Sequence, residues 1–151
     1  QLTALNVHGC TAVSELSPLA ALTQLTTLDV SGCEAVSELL PLTSLSQLTT
    51  LDIHDTAVSD LSPLGALTQL TTLEASDTKV SDLSPLSVLT QLVMLDVNYT
   101  EVLDLSPLAT LTQLAALKVR SPDPSGYGGA SNVAVLTVLK QLTSLDVRSC
   151  R

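Results

Sequence analysis

Phenylalanine and tryptophan are missing from this chain, and tyrosine occurs only twice. Any core must therefore be aliphatic, made of leucine, valine, alanine and isoleucine. No run of about 18 apolar residues occurs, so no membrane span is expected. No signal peptide or targeting tail is visible. Basic side chains are scarce, with six Lys and Arg against fifteen Asp and Glu, for a net charge of −9. They are also unevenly placed. Residues 1–117 hold thirteen acids and one base, Lys79, for −12; residues 118–151 hold two acids and five bases, for +3. An acidic body of this kind argues against nucleic acid or an anionic membrane as partner. Cysteine is sparse, and its odd count of three does not suit a disulfide framework.

What the chain has instead is one leucine-rich unit, copied throughout. Aligned on the first leucine, the copies begin at Leu2, Leu25, Leu48, Leu70, Leu92, Leu114 and Leu142, at intervals of 23, 23, 22, 22, 22 and 28 residues. The shared pattern is L-x-x-L-x-V-x-x-[TC]-x-V-x-[DE]-L-S-P-L-x-x-L-x-Q. A repeat of this period implies a solenoid, because a single unit cannot bury its apolar face and stacking creates the core. Residues 1–151 thus form a single repeat domain. The chain begins and ends inside repeats, without the caps that solenoids need, which reads as a segment of a longer protein and leaves its compartment open.

Within a unit, the apolar residues at positions 4 and 6 are two apart, the spacing that puts both side chains on one face of a strand. They run from Leu5/Val7 through Leu51/Ile53 to Leu145/Val147. Seven such strands in parallel would make a sheet about 29 Å long at about 4.8 Å per step. The second half of the unit reads L-S-P-L-A-A-L-T-Q. Ser17-Pro18, Ser62-Pro63, Ser84-Pro85 and Ser106-Pro107 look like starts of short α or 3-10 helices, with Ser capping and Pro at the first helical position. The fold class is an α/β solenoid: a right-handed horseshoe with a parallel sheet on its concave face and short helices on its convex face.

These residues also carry a resemblance. The unit V-S-D-L-S-P-L-x-x-L-T-Q-L-T-x-L resembles the 22-residue leucine-rich repeats of bacterial internalins, and is similar to repeats in protozoan leucine-rich-repeat proteins and in a regulatory subunit of protein phosphatase 1. The resemblance spans essentially the whole chain and implies the horseshoe fold. It implies further that the side chain at position 9 bonds backbone in the bend and stacks into a ladder. That position is usually Asn; here it is Cys10, Cys33, Thr56, Thr78, Thr100 and Cys150. Cys10 and Cys33, on adjacent coils, are expected to be buried free thiols, because parallel side chains hold their Cβ atoms too far apart for a relaxed disulfide.

Candidate site residues follow from the outward positions of the strands. Position 5 reads Asn6, Asp29, Asp52, Glu74, Asp96, Lys118 and Asp146, a column with four consecutive carboxylates. It is either a docking strip for a basic partner or simply repeat consensus, and like charges side by side cost stability. Position 7 reads His8, Ser31, His54, Ser76, Asn98, Arg120 and Arg148, and Tyr99 stands beside it at position 8. Asp52, His54 and Ser31 are the residue types of a catalytic triad, but an open sheet offers neither oxyanion donors nor exclusion of water. His8 and His54, two strands apart at about 10 Å, are expected to be too far apart to share one metal ion. A divalent ion between Asp55 and Asp77 is a weaker alternative to plain repeat consensus. Glu15, Glu38, Asp60, Asp82 and Asp104 recur just before Leu-Ser-Pro, where a carboxylate can accept from bend N–H groups. Asn98-Tyr99-Thr100 matches a glycosylation sequon, a pattern that often arises by chance. The segment from Ser121 to Ser131, with two Pro, three Gly and Tyr127, breaks the repeat. It is either a recognition loop or a tolerated insertion.

The reading is therefore a protein–protein interaction module that binds through the concave sheet. The contact residues expected are Asp29, Asp52, His54, Glu74, Asp96, Asn98 and Tyr99, with Lys118, Arg120 and Arg148 as a basic end and Tyr127 on the inserted loop. No catalytic residue, metal or cofactor is expected. The partner is another protein, and a basic surface would suit the strip. The alternatives are a structural or adhesive spacer of a surface protein and, behind that, a hydrolase or metal-binding protein.

Overall fold

The structure, a computed structural model, describes residues 1–120 and 132–148. One parallel sheet of seven strands runs the length of the molecule, in the order β1 to β7. The strands are β1 (Ala4–Asn6), β2 (Thr27–Asp29), β3 (Thr50–Asp52), β4 (Thr72–Glu74), β5 (Met94–Asp96), β6 (Ala116–Arg120) and β7 (Ser144–Arg148). Each pairs with the next at the same repeat position, so Leu5, Leu28, Leu51, Leu73, Leu95, Leu117 and Leu145 form one row. The strand spacing read from the sequence is therefore present in every unit.

Positions 4 and 6 point into the solenoid. Leu28, Val30, Leu51, Ile53, Leu73, Ala75, Leu95, Val97 and Leu117 are all buried, and they join the leucines of the helices in one continuous aliphatic core. The end coils have a neighbour on one side only: Leu2 and Leu145 remain 48 % exposed. Opposite the sheet lie 3-10 helices at Ser17–Ala21, Leu40–Ser44, Ser62–Ala66, Ser84–Val88, Ser106–Thr110 and Val133–Val138. The Leu at the third position of four of them, Leu42, Leu64, Leu86 and Leu108, is buried. The result is an α/β solenoid of horseshoe type with the sheet on the concave side. No helix among the described residues is long and apolar enough to cross a membrane.

Two local devices differ from expectation or were not foreseen. Ser is not the helix cap: it is the first helical residue, the N-cap is a Leu, and no cap side chain bonds there. The acid two residues ahead does the work. Asp60 Oδ1 accepts the Ser62 N–H at 2.8 Å, Asp82 that of Ser84 at 2.8 Å, and Asp104 that of Ser106 at 2.9 Å. This satisfies an N–H that has no intrahelical partner, and the Ser bonds hold all three carboxyls below their usual range. The second device is a threonine spine at position 2. Thr26 Oγ1 donates to Thr3 O, Thr49 Oγ1 to Thr26 O, and Thr71 Oγ1 to Thr49 O, each at 3.0 Å, just before the strands begin.

Candidate functional site

The polar face of the sheet is built by the same period that builds the core. Position 5 lies between two inward residues and so points out. Its neighbours in register are Asn6, Asp29, Asp52, Glu74, Asp96, Lys118 and Asp146. The column is continuous, but its members are not equivalent.

Three of the acids serve the backbone of their own coil. Asp29 Oδ1 accepts the Ser31 N–H, Asp52 Oδ1 the His54 N–H and Asp96 Oδ1 the Asn98 N–H, each at 3.0 Å; Asn6 does the same for His8 at 2.9 Å. A short carboxylate or amide two residues ahead of an N–H is the turn-closing geometry of Asp and Asn. This gives the position a structural reason for Asp, independent of any partner. Glu74 is one methylene longer and makes no such bond among the described residues. Burial, and then the Asp52 carboxylate beside it, push its pKa above the ordinary range.

Position 8 has its own constraint. Gly9, Gly32, Asp55, Asp77 and Tyr99 all have positive φ, between 52° and 68°. Gly and Asp tolerate this left-handed conformation, which explains Asp55 and Asp77 without a bound ion. Tyr99 is the exception, a bulky side chain held in a region it disfavours. It is 43 % exposed.

The ladder at position 9 is formed by Thr56, Thr78 and Thr100, each buried. Their hydroxyls donate to the carbonyls of Ile53, Ala75 and Val97 at 2.7, 2.8 and 2.7 Å. Cys33 is buried as expected, and its thiol donates to Val7 O at 3.3 Å. Cys10 is exposed, against expectation: among the described residues its coil is packed on one side only. Both are free thiols. Cys150 lies outside the described residues.

The other expected contact residues differ in their surroundings on this face. Asp96 is buried, and Lys118 lies over it, with Nζ 2.9 Å from Oδ2. That contact raises the Lys118 pKa. Asn98 is buried too, and its Oδ1 has no hydrogen-bond partner among the described residues, so the sequon is not presented to solvent. Arg120 forms an ion pair with Asp146 through Nε, at 3.0 Å, and through its terminal nitrogen. The bonds to Asp146 and then to Tyr99 raise its pKa. Lys118 and Arg120 of the expected basic end are therefore engaged within the chain. Arg148 lies in β7, in register with Arg120. Tyr127 and the inserted loop fall outside the described residues.

The triad-like residues are split between two histidines. His54 Nδ1 is 2.9 Å from Asp52 Oδ1, whereas Ser31 Oγ is 2.7 Å from His8 Nδ1 and donates to Asp29 Oδ1 at 2.5 Å. Ser31 is buried. The two imidazoles stand 6.0 Å apart between ring centroids, much closer than their strands imply. No group of three or more His, Cys, Asp or Glu gathers as metal ligands among the described residues.

This repeat, stacked in register around an aliphatic core, defines a leucine-rich-repeat solenoid, a fold that typically serves as a protein–protein interaction module. A family model described as Leucine Rich repeats (2 copies) matches residues 46–88. Among solved structures, internalin C2 from Listeria monocytogenes is 30 % identical, with a TM-score of 0.78 over 88 % of this chain and 56 % of its own. Internalin F from the same organism is 26 % identical, with a TM-score of 0.75 over 95 % and 46 %. A leucine-rich-repeat protein from Leptospira interrogans, at 19 % identity and a TM-score of 0.74 over 91 % and 35 %, shares the fold. No curated protein matches the sequence. The chain has the leucine-rich-repeat fold, and its repeats are similar to those of the internalins. It spans about half the length of internalins C2 and F.

Proposed function

We propose that this chain binds another protein through its concave sheet, with the strip around Asp29, Asp52 and Glu74 as the acidic centre of the contact. The observation that carries the reading is Glu74. It sits in the middle of the strip, bonds no backbone N–H of its own coil, and is held beside Asp52 and Asp96 at an electrostatic cost. Lys118 and His54 offset only part of that cost. A shallow depression on the first four strands, lined by Asn6, Thr27, Asp29, Thr50, Asp52 and Glu74, gives the partner a seat. A basic surface is the matching chemistry. His54 and Tyr99 extend the contact.

Catalysis is not part of this reading. Ser31 is buried and gives its proton to Asp29, so it is not a nucleophile aimed at a substrate.

The test is capture of binding partners by the immobilised protein and by a Glu74→Lys variant with an unchanged melting curve. A partner retained by the first, released as salt rises, and lost by the variant supports the reading, since charges on an exposed face act on encounter. A partner held equally by both, with equal salt dependence, overturns it.

A further inference from the structure

We propose that His8 and His54 form a two-imidazole site on the concave face for a borderline divalent metal ion of the zinc, copper and nickel class. Their strands β1 and β3 are separated by β2, about 10 Å at the usual strand spacing. The rings nevertheless approach to 6.0 Å between centroids, tilted by 38°. The residue between them at the same repeat position is Ser31, small and buried, and the His8 ring leans over that coil, its Cε1 3.6 Å from where a Cβ on Gly32 would stand. Two imidazoles on one ion, with metal–nitrogen bonds of about 2.0–2.1 Å, place their ring centroids about 5–6 Å apart.

The hydrogen bonds set both rings in the same tautomer. His54 Nδ1 faces Asp52 Oδ1 at 2.9 Å; an ionised carboxylate only accepts, so Nδ1 carries the proton. His8 Nδ1 faces Ser31 Oγ at 2.7 Å, and the Ser31 proton is already given to Asp29 Oδ1. Ser31 therefore accepts from His8, and Nδ1 carries the proton there as well. In the neutral rings the lone pair is left on Nε2 in both. Neither Nε2 has a hydrogen-bond partner among the described residues. A carboxylate behind Nδ1, direct for His54 and relayed through a hydroxyl for His8, is the outer arrangement that orients a ligating histidine and raises its basicity. Imidazole nitrogen suits zinc, copper and nickel rather than calcium or magnesium. Water would complete the coordination, leaving positions open to a donor from a docked protein.

The site stands independently of the partner reading, because its probe is the metal alone. Zinc chloride is titrated into the intact protein while the imidazole nitrogens are followed by long-range proton–nitrogen NMR and the binding by calorimetry. The expected result is the Nδ1–H tautomer for both rings before zinc, a shift of both Nε2 resonances on saturation, and loss of that binding in His8→Gln and in His54→Gln. Both side chains lie outside the aliphatic core, and an unchanged melting curve checks each variant. Asp52→Asn should weaken binding about 10–100-fold through the outer partner alone. Cys10→Ser should leave it intact. The proposal is overturned if the Nε2 resonances do not move, if either Gln variant binds like the parent, or if Cys10→Ser abolishes the binding.

Discussion

Lys118 Nζ lies 2.9 Å from Asp96 Oδ2 across the β5–β6 step, and Asp96 is left only 5 % exposed. One residue in the neighbouring coil thus converts the fourth acid of the column from an exposed charge into a covered one. The acidic strip ends there, and Asp96 acts as an internal partner of the last coils. Lys118→Ala should strip the cation from a carboxylate that also sits beside Glu74. Because the Lys118 side chain is itself nearly half exposed, water moderates the loss, and the expected cost is about 1 kcal/mol. Chemical denaturation of the variant measures it. An unchanged midpoint would mean that the pair contributes nothing.

Glu74 should behave in the opposite way. Its raised pKa means that the folded state keeps a proton at a pH where the unfolded chain has lost it. Its contribution is fully present below the ordinary carboxyl range and is lost as pH rises through the folded pKa. Glu74→Gln should therefore stabilise the protein near neutrality by about 0.2–1 kcal/mol, the scale of a cross-strand pair. The gain should fade at acid pH, where the parent is protonated as well. Asp60, Asp82 and Asp104 work with the reverse sign. Their lowered pKa values stabilise the fold above the ordinary carboxyl range, and that stability is lost as pH falls through the folded values. Melting curves across acid and neutral pH for the parent and Glu74→Gln separate the two effects.

Much of this fold could be read directly from the residues. Period-2 pairs such as Leu51 and Ile53, repeated at a near-constant interval, leave a single arrangement that buries them in every inner coil. The site was less legible, because its features depend on contacts between coils rather than on the pattern within one. Sequence places His8 and His54 by their strands, whereas the rings lean toward each other over the small, buried Ser31 to a centroid distance of 6.0 Å. Asp29 and Asp52 looked like free charges, whereas the chain turn draws the N–H of the second residue onward onto each of them. That signal was available, since Asn6 holds the same position and shares no charge with the others. The positive φ at position 8 was also signalled, by Gly9, Gly32, Asp55 and Asp77 in four successive units. Cys10 was misjudged because equivalence of copies fails where a coil has a neighbour on one side only.

Tyr99 should be a site where stability is given up. Its φ of 57° is the value that Asp55 and Asp77 hold in the preceding coils. Left-handed backbone costs an ordinary side chain roughly 1–2 kcal/mol, and Asn tolerates it far better. Tyr99→Asn is expected to raise stability by about 1 kcal/mol, less whatever the bond to the half-buried Arg120 contributes. If the concave face binds a partner, the same variant should weaken that binding. A variant that loses stability would show that the Tyr99 ring, not the backbone conformation, dominates.

The core should report its own end effects. Leu51 and Leu5 hold the same repeat position, but Leu51 is fully buried and Leu5 only partly so. Leu51→Ala should cost about 2–5 kcal/mol, the usual result of emptying a packed leucine site. Leu5→Ala should cost distinctly less, since the outer side of its coil is already open. Equal losses in urea denaturation would count against the graded packing.

The two described thiols should differ for the same reason. Cys33 is sealed in the core, its thiol donates to Val7 O, and burial pushes its pKa up. A thiol reagent attacks the thiolate, so both access and ionisation protect it. Cys10 has the same repeat position but an exposed side chain. In a Cys150→Ser background, Cys10 should label in the native protein, and Cys33 only after unfolding, with peptide mapping assigning the two sites. Cys33→Thr should be tolerated, because Thr56, Thr78 and Thr100 already fill the equivalent space and donate to the carbonyl three residues back in their own coil. Rapid native labelling of Cys33, at a rate near that of Cys10, would mean that the second coil opens readily and that its burial is not maintained in solution.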